Sequence, residues 1–300
     1  MDVDAMRRTV ELADGRLLDA WIDDPGPGGK ALVFHFGTPS SGMPFAAHLA
    51  AARERGLRWI SWSRPGYGSS TRFEGRTVAD VVDDTRDVLN QLGVDRAYVA
   101  GWSGGGPHAL ACGALIPDRV LGVATLASVA PYSGVEGLES LDFMAGMGKE
   151  NIEEFGAALA GPRELAENLD RQWQAMRDVT GADIADSFGD LIDEVDRGSL
   201  TGEFADYLAA DFREGMRESY VGWLDDDLAF VRPWGFPLDS FDPPVHIWQG
   251  AHDRMVPFSH GQWLGDHSDN ACPHLLPEHG HISLIVDQFG TMLDEMLARR

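Results

Sequence analysis

The chain has 300 residues, 44% of them apolar and 24% charged, proportions that supply a sizeable core and exclude a disordered protein. Its formal net charge of −24 repels nucleic acid and anionic membranes, so neither is an expected partner. The opening MDVDAMRRTVEL lacks the apolar run of a signal sequence, and no apolar stretch reaches the roughly 18 residues of a membrane span, so a soluble, cytoplasmic protein is expected.

RRTVEL and LLDAWI flank ADGR, where Asp14-Gly15 tolerates positive φ, and an antiparallel hairpin is predicted. The loop DDPGPGGK leads into ALVFHF, a short apolar run that reads as a buried strand. A helical pattern then spans roughly Met43 to Arg55, before the strand LRWISW and the loop SRPGYGSS. Thr77 is the predicted cap of a helix reaching about Leu92, with Asp80 as its capping partner. RAYVAG, a helix from about Gly105 to Ile116 and the run VLGVATLASVA continue the alternation. Strands and helices at this spacing predict an α/β fold, a mostly parallel, doubly wound sheet with helices on both faces.

The alternation stops near Ser133. Helical patterns without a clear strand follow in SLDFMAGM, KENIEEFGAALA, PRELAENLDRQWQAMRD, DIADSFGDLIDEVDR and FADYLAADFREGMRESYVGWL. Residues 136–242 hold 26 acidic against 8 basic side chains, a local balance of −18, so most of the chain's charge sits here. The strand pattern returns at PPVHIWQ, followed by a helix near His260 to Asp266, the short strand ACPHLL and a closing helix from about His281 to Leu297. The expected organisation is a core of residues 1–132 and 237–300 interrupted by an all-helical cap, 133–236.

YVAGWSGGGPHAL places Ser103 where a strand turns into a helix. A turn that sharp crowds the residues two positions away on either side, so both must be small, and Gly101 and Gly105 stand there. It lifts the Ser103 hydroxyl above the sheet edge and aims the helix's first amides at it, where they can stabilise an oxyanion. Pro107 falls in the first helical turn, where its missing N–H costs nothing. A serine hydroxyl is a poor nucleophile until a base takes its proton, and the base needs an acid to hold its tautomer. Asp253, in GAHDRMVP after VHIWQ, and His281, in PEHGHISL after ACPHLL, follow strands that would deliver them to the same sheet edge.

With these residues the chain resembles the α/β-hydrolase fold superfamily, in that family's order of nucleophile Ser103, acid Asp253 and base His281. The resemblance covers roughly 1–132 and 237–300. It implies that HFGTPSSG is the oxyanion loop, with the N–H groups of Thr38 and Gly104 as donors, and that His281, which follows Gly280, is the base rather than His279. SRPGYGSS is similar to the family's Asp-Arg-Pro-Gly-x-Gly-x-Ser loop, with Ser63 replacing Asp at a structural position outside the triad. The superfamily's dehalogenases and epoxide hydrolases use an Asp nucleophile, which Ser103 excludes, and Gly104 stands where proline iminopeptidases carry Trp. The implied activity is that of a serine hydrolase cleaving a small, uncharged carboxylic ester through an acyl-enzyme, with no metal and no cofactor. The alternatives are an amide, lactone or carbon–carbon bond hydrolase with the same triad, and a non-catalytic protein that holds a small apolar ligand.

His35 is expected to brace the oxyanion loop. His48, His108, His246, His252, His260, His267 and His274 share no metal-ligand spacing, so no metal is assigned. Trp173, Trp223, Trp234, Phe143, Met144, Met147, Met176 and Phe204 are candidates for a pocket lining, with packing between cap helices the expectation for most of them. The acidic cap residues read as a solvated face that disfavours anionic substrates. Cys112 and Cys272 read as reduced, buried thiols. The expected partner is a small-molecule substrate, and the sequence sets no oligomeric state.

Overall fold

Short apolar runs pair into a single 8-stranded sheet in a computed structural model that describes residues 6–23 and 30–298. The strands are β1 (Arg7–Glu11), β2 (Leu17–Asp23), β3 (Lys30–His35), β4 (Leu57–Trp62), β5 (Ala97–Trp102), β6 (Val120–Leu126), β7 (Val245–Gly250) and β8 (Ala271–Leu276). They lie in the order β1-β2-β4-β3-β5-β6-β7-β8. The β1–β2 hairpin, turned by Gly15 at φ +87, and the β2–β4 pair are antiparallel, and every pairing from β4 onward is parallel.

Helices α1 (Ala46–Glu54), α2 (Val81–Gln91) and α3 (Gly106–Leu115) connect successive parallel strands. Side chains of a strand point alternately to the two faces, and both faces here are apolar. On β3, Leu32 and Phe34 join one buried cluster with Leu49 of α1, whereas Val33 joins the other with Val88 of α2 and Leu110 of α3. The strand order reverses about β3, which has β4 on one side and β5 on the other, so the C-terminal ends of β3 and β5 flank a crevice, the place where open α/β sheets hold ligands.

Between β6 and β7 the chain forms α4 (Lys149–Ala160), α5 (Pro162–Met176), α6 (Ile184–Ser187), α7 (Glu194–Ser199), α8 (Gly202–Gly215) and α9 (Val221–Phe230). After β7 come α10 (Phe258–His267) and, beyond β8, α11 (His281–Leu297). SLDFMAGM makes turns instead of the expected helix, with Gly146 at φ +93. DIADSFGDLIDEVDR is broken at Gly189, φ +53, and FADYLAADFREGMRESYVGWL is divided between α8 and α9.

Three further expectations are corrected. The second helix starts at Val81, four residues after Thr77. Asp80 Oδ2 does accept from the Thr77 N–H and hydroxyl, at 2.6 and 2.9 Å, but the pair closes a turn ahead of the helix. Cys112 is buried, whereas Cys272 on the outermost strand is only half-buried, because among the described residues no strand pairs with the far side of β8. The acidic residues of the helical segment are not all a solvated face: Glu154, Asp196, Asp211, Asp225, Asp226 and Asp227 are buried. Donors from distant parts of the chain make this possible, as where Asp211 accepts from the Ser41 N–H at 3.1 Å. The reading of DDPGPGGK falls, from Asp24 to Gly29, outside the described residues.

Candidate active site

Ser103 has φ +55, a left-handed conformation that a non-glycine residue adopts only when its surroundings enforce it. The surroundings are backbone. A Cβ on Gly101 would strike the Gly105 carbonyl, and one on Gly105 would strike the His35 carbonyl. The tight β5–α3 connection thus needs glycine two positions to each side of Ser103. It carries the serine to the wall of a cavity of about 120 Å³ that is also lined by His281, Gly37, Thr38 and Gly104.

Asp253 lies in the loop after β7 and His281 is the first residue of α11. Asp253 Oδ1 accepts the N–H groups of Met255 and Val256, at 2.9 and 2.7 Å, so the carboxylate closes its own loop. Its other oxygen, Oδ2, accepts from Gln249 Nε2 at 3.0 Å and from His281 Nδ1 at 2.8 Å. A carboxylate only accepts, so the ring proton sits on Nδ1 and leaves Nε2 as the acceptor. Burial alone would lower the imidazole's pKa, but the negative charges of Asp253 and Asp196 outweigh it and raise the pKa above the usual histidine value. His279 is drawn elsewhere, with Nε2 3.1 Å from Gln288 Nε2.

Asp196, from α7, was not anticipated as part of this site. It caps α11 across 85 positions of sequence, accepting the N–H of His281 at 2.8 Å, of Ile282 at 3.0 Å and of Ser283 at 2.9 Å, and the Ser283 hydroxyl at 2.9 Å. Three unpaired amides of a helix N-terminus are thereby satisfied by one carboxylate, which fixes the backbone that carries the imidazole. A Cβ on Gly280 would collide with that carboxylate.

The loop Phe36–Pro39 is held from below by Arg64. Its Nη1 donates to the Phe36 carbonyl, and its Nη2 donates to the Gly37 carbonyl at 2.7 Å and to Thr38 Oγ1 at 2.9 Å. Asp226 of α9 neutralises Arg64 and Arg76, with N···O distances of 2.6 and 2.7 Å, and accepts from Thr38 Oγ1 and the Tyr67 hydroxyl, both at 2.8 Å. Burial would raise the Asp226 pKa, but the two guanidinium groups hold it well below the carboxylate range. A Cβ on Gly104 would collide with the Thr38 side chain, so loop and elbow meet at van der Waals range only because position 104 is glycine. Ser63 donates to the Ser41 carbonyl, within the structural loop where sequence placed it.

His35 is buried in edge-on contact with Trp62, at the end of β3 below the loop. Burial, with His108 and Arg64 nearby, holds it neutral. Of the eight apolar cap candidates, Met176 and Trp223 line the cavity. The others pack elsewhere, as Phe204 does against Phe45 and Trp234 against Phe236.

A sequence-family model described as alpha/beta hydrolase fold matches residues 30–288. The chain belongs to the alpha/beta hydrolase fold family. This α/β hydrolase is 30% identical over 252 residues to a bifunctional esterase/perhydrolase of Acinetobacter calcoaceticus, covering 83% of each chain. It is 28% identical over 141 residues to epoxide hydrolase B of Mycobacterium tuberculosis, a match that spans 46% of this chain and only 38% of that enzyme. Its fold is similar to that of an esterase from Exiguobacterium antarcticum, at a TM-score of 0.69 and 18% identity over 98% of this chain and 100% of that one. Among the described residues no helix is long and apolar enough to cross a membrane.

Proposed function

We propose that this α/β hydrolase cleaves a small carboxylic ester through an acyl-enzyme, with Ser103 as nucleophile, His281 as base and Asp253 as the acid that orients it. One observation carries the reading: a strained Ser103 and a His281 bonded through Nδ1 to buried Asp253 at 2.8 Å line a single cavity. The esterase relative supports the same bond class. The epoxide hydrolase relative does not transfer, because Ser103 stands where that chemistry uses a carboxylate.

His281 Nε2 takes the Ser103 proton as Oγ attacks the carbonyl carbon. The oxyanion is held by the N–H groups of Thr38 and Gly104, a stabilisation worth about 3 kcal/mol per donor. The imidazolium, stabilised by Asp253, gives its proton to the leaving alkoxide as the ester C–O bond breaks. Water, deprotonated by His281, then attacks the acyl-enzyme, releasing a carboxylic acid and returning the proton to Ser103. Residues 133–236, whose helices lie between β6 and β7, act as a cap that roofs the site and sets substrate size.

Hydrolysis of p-nitrophenyl esters of increasing acyl length tests this reading against Ser103→Ala. The expected result is turnover by the native chain, falling by more than about a thousand-fold in a variant of unchanged circular dichroism. Equal turnover by the two proteins would remove Ser103 from the mechanism.

A further inference from the structure

Residues 225–227 of α9 are three consecutive aspartates, and successive helix positions point about 100° apart. Their surroundings differ accordingly. Asp225 pairs outward with Arg72 at 2.8 Å, and Asp226 is neutralised by Arg64 and Arg76. Asp227 points into the cavity that holds Ser103. It is 1% exposed, and among the described residues its Oδ2 has no hydrogen-bond partner.

The neighbour of Asp227 in that cavity is another carboxyl. Glu154 of α4 is buried too, and accepts from Trp223 Nε1 and Gln172 Nε2, both at 3.0 Å. The two carboxyls line the same cavity wall, Asp227 from α9 and Glu154 from α4. Burial and the neighbouring Glu154 hold the Asp227 carboxyl well above its ordinary range, and burial raises that of Glu154 too, so ionising either group in this cavity calls for a cation. Among the described residues no lysine or arginine lines the cavity to act as that cation. Glu150, one turn before Glu154, also lines it, with its carboxyl beside Asp190. Apolar side chains of similar volume would fill this space at lower cost, because a buried charge without a counter-ion is strongly unfavourable.

We propose that Asp227 and Glu154 form an ammonium subsite, and that the substrate presented to Ser103 carries a protonated amine whose N–H groups bond to Asp227 Oδ2 and whose charge balances the pair. The sequence reading expected an uncharged substrate and took the acidic cap residues for a solvated face; the burial of these two beside the serine changes the class to esters bearing a primary or secondary ammonium. The subsite rests on the hydrolase reading only for what happens at the other end of the substrate, so its test omits turnover.

Binding of linear alkylammonium ions of three to six carbons is compared with that of alcohols of the same length at pH 7.5, read by tryptophan fluorescence, since Trp102 and Trp223 line the cavity. The native chain is expected to bind the ammonium at least tenfold more tightly than the alcohol. Asp227→Asn and Glu154→Gln should each remove that preference while leaving the alcohol within twofold. An ammonium bound no more tightly than its alcohol by the native chain overturns the proposal, whether or not the variants fold. An ammonium affinity unchanged in both folded variants overturns it as well. A protein that prefers the ammonium but hydrolyses no ester would retain the subsite and lose the hydrolase reading.

Discussion

In the proposed mechanism His281 acts as a base only while Nε2 is unprotonated, so its raised pKa sets the acid side of the expected activity profile. With the pKa above the usual value of about 6.5, the base protonates, and kcat/KM for an uncharged ester falls, as pH drops through a point above that value. The same shift links to stability with a defined sign. The protonated imidazole favours the folded state, fully so below the unfolded value, and that contribution is lost as pH rises through the folded one. Asp196 supplies part of the shift from the helical segment, independently of Asp253. Asp196→Asn should therefore move the acid limb to lower pH, which a profile from pH 5 to 9 measures. A limb in the same place as the native one would restrict Asp196 to capping α11. Neither the capping nor the charge was legible in the sequence, because Asp196 lies 85 positions before His281 and sits in a segment whose acids look uniformly solvated.

At the level of elements, α9 ties the helical segment to the loop Phe36–Pro39 through Asp226, whose partner Arg64 is 162 positions away. Removing one member of a buried ion pair leaves the other charge uncompensated, a loss of about 3–5 kcal/mol, whereas a pair with an exposed partner contributes about 1 kcal/mol or less. Asp226→Ala should thus destabilise the protein several-fold more in kcal/mol than Asp225→Ala, whose partner Arg72 reaches solvent. It should also lower kcat, because Arg64 would lose the carboxylate that holds it against the Phe36 and Gly37 carbonyls. Urea unfolding midpoints of the two variants check the first effect, and similar midpoints would mean that Asp226 is not the stronger anchor. The strands and the sheet-flanking helices were readable because their apolar periods are local, and α11 begins at His281 as the sequence predicts. The breaks at Gly189 and between α8 and α9 were not, since acidic helical patterns run through both.

In the whole molecule, three separate stretches of chain converge on one cavity: the β5–α3 turn with Ser103, the loop after β7 with Asp253, and the start of α11 with His281. Each was visible in the sequence as a residue at the end of a strand, which is where a parallel sheet exposes its functional edge. What the cavity selects was not visible, because Glu154 and Asp227 become a site only when α4 and α9 are packed together. The central claim is that Ser103 is an activated nucleophile, and a fluorophosphonate tests it without any choice of substrate. Intact mass after labelling should rise by a single phosphonyl group, mapped to the peptide containing Ser103, absent in Ser103→Ala and strongly slowed in His281→Ala. A folded native chain that stays unlabelled, or an adduct on another residue, would contradict the account.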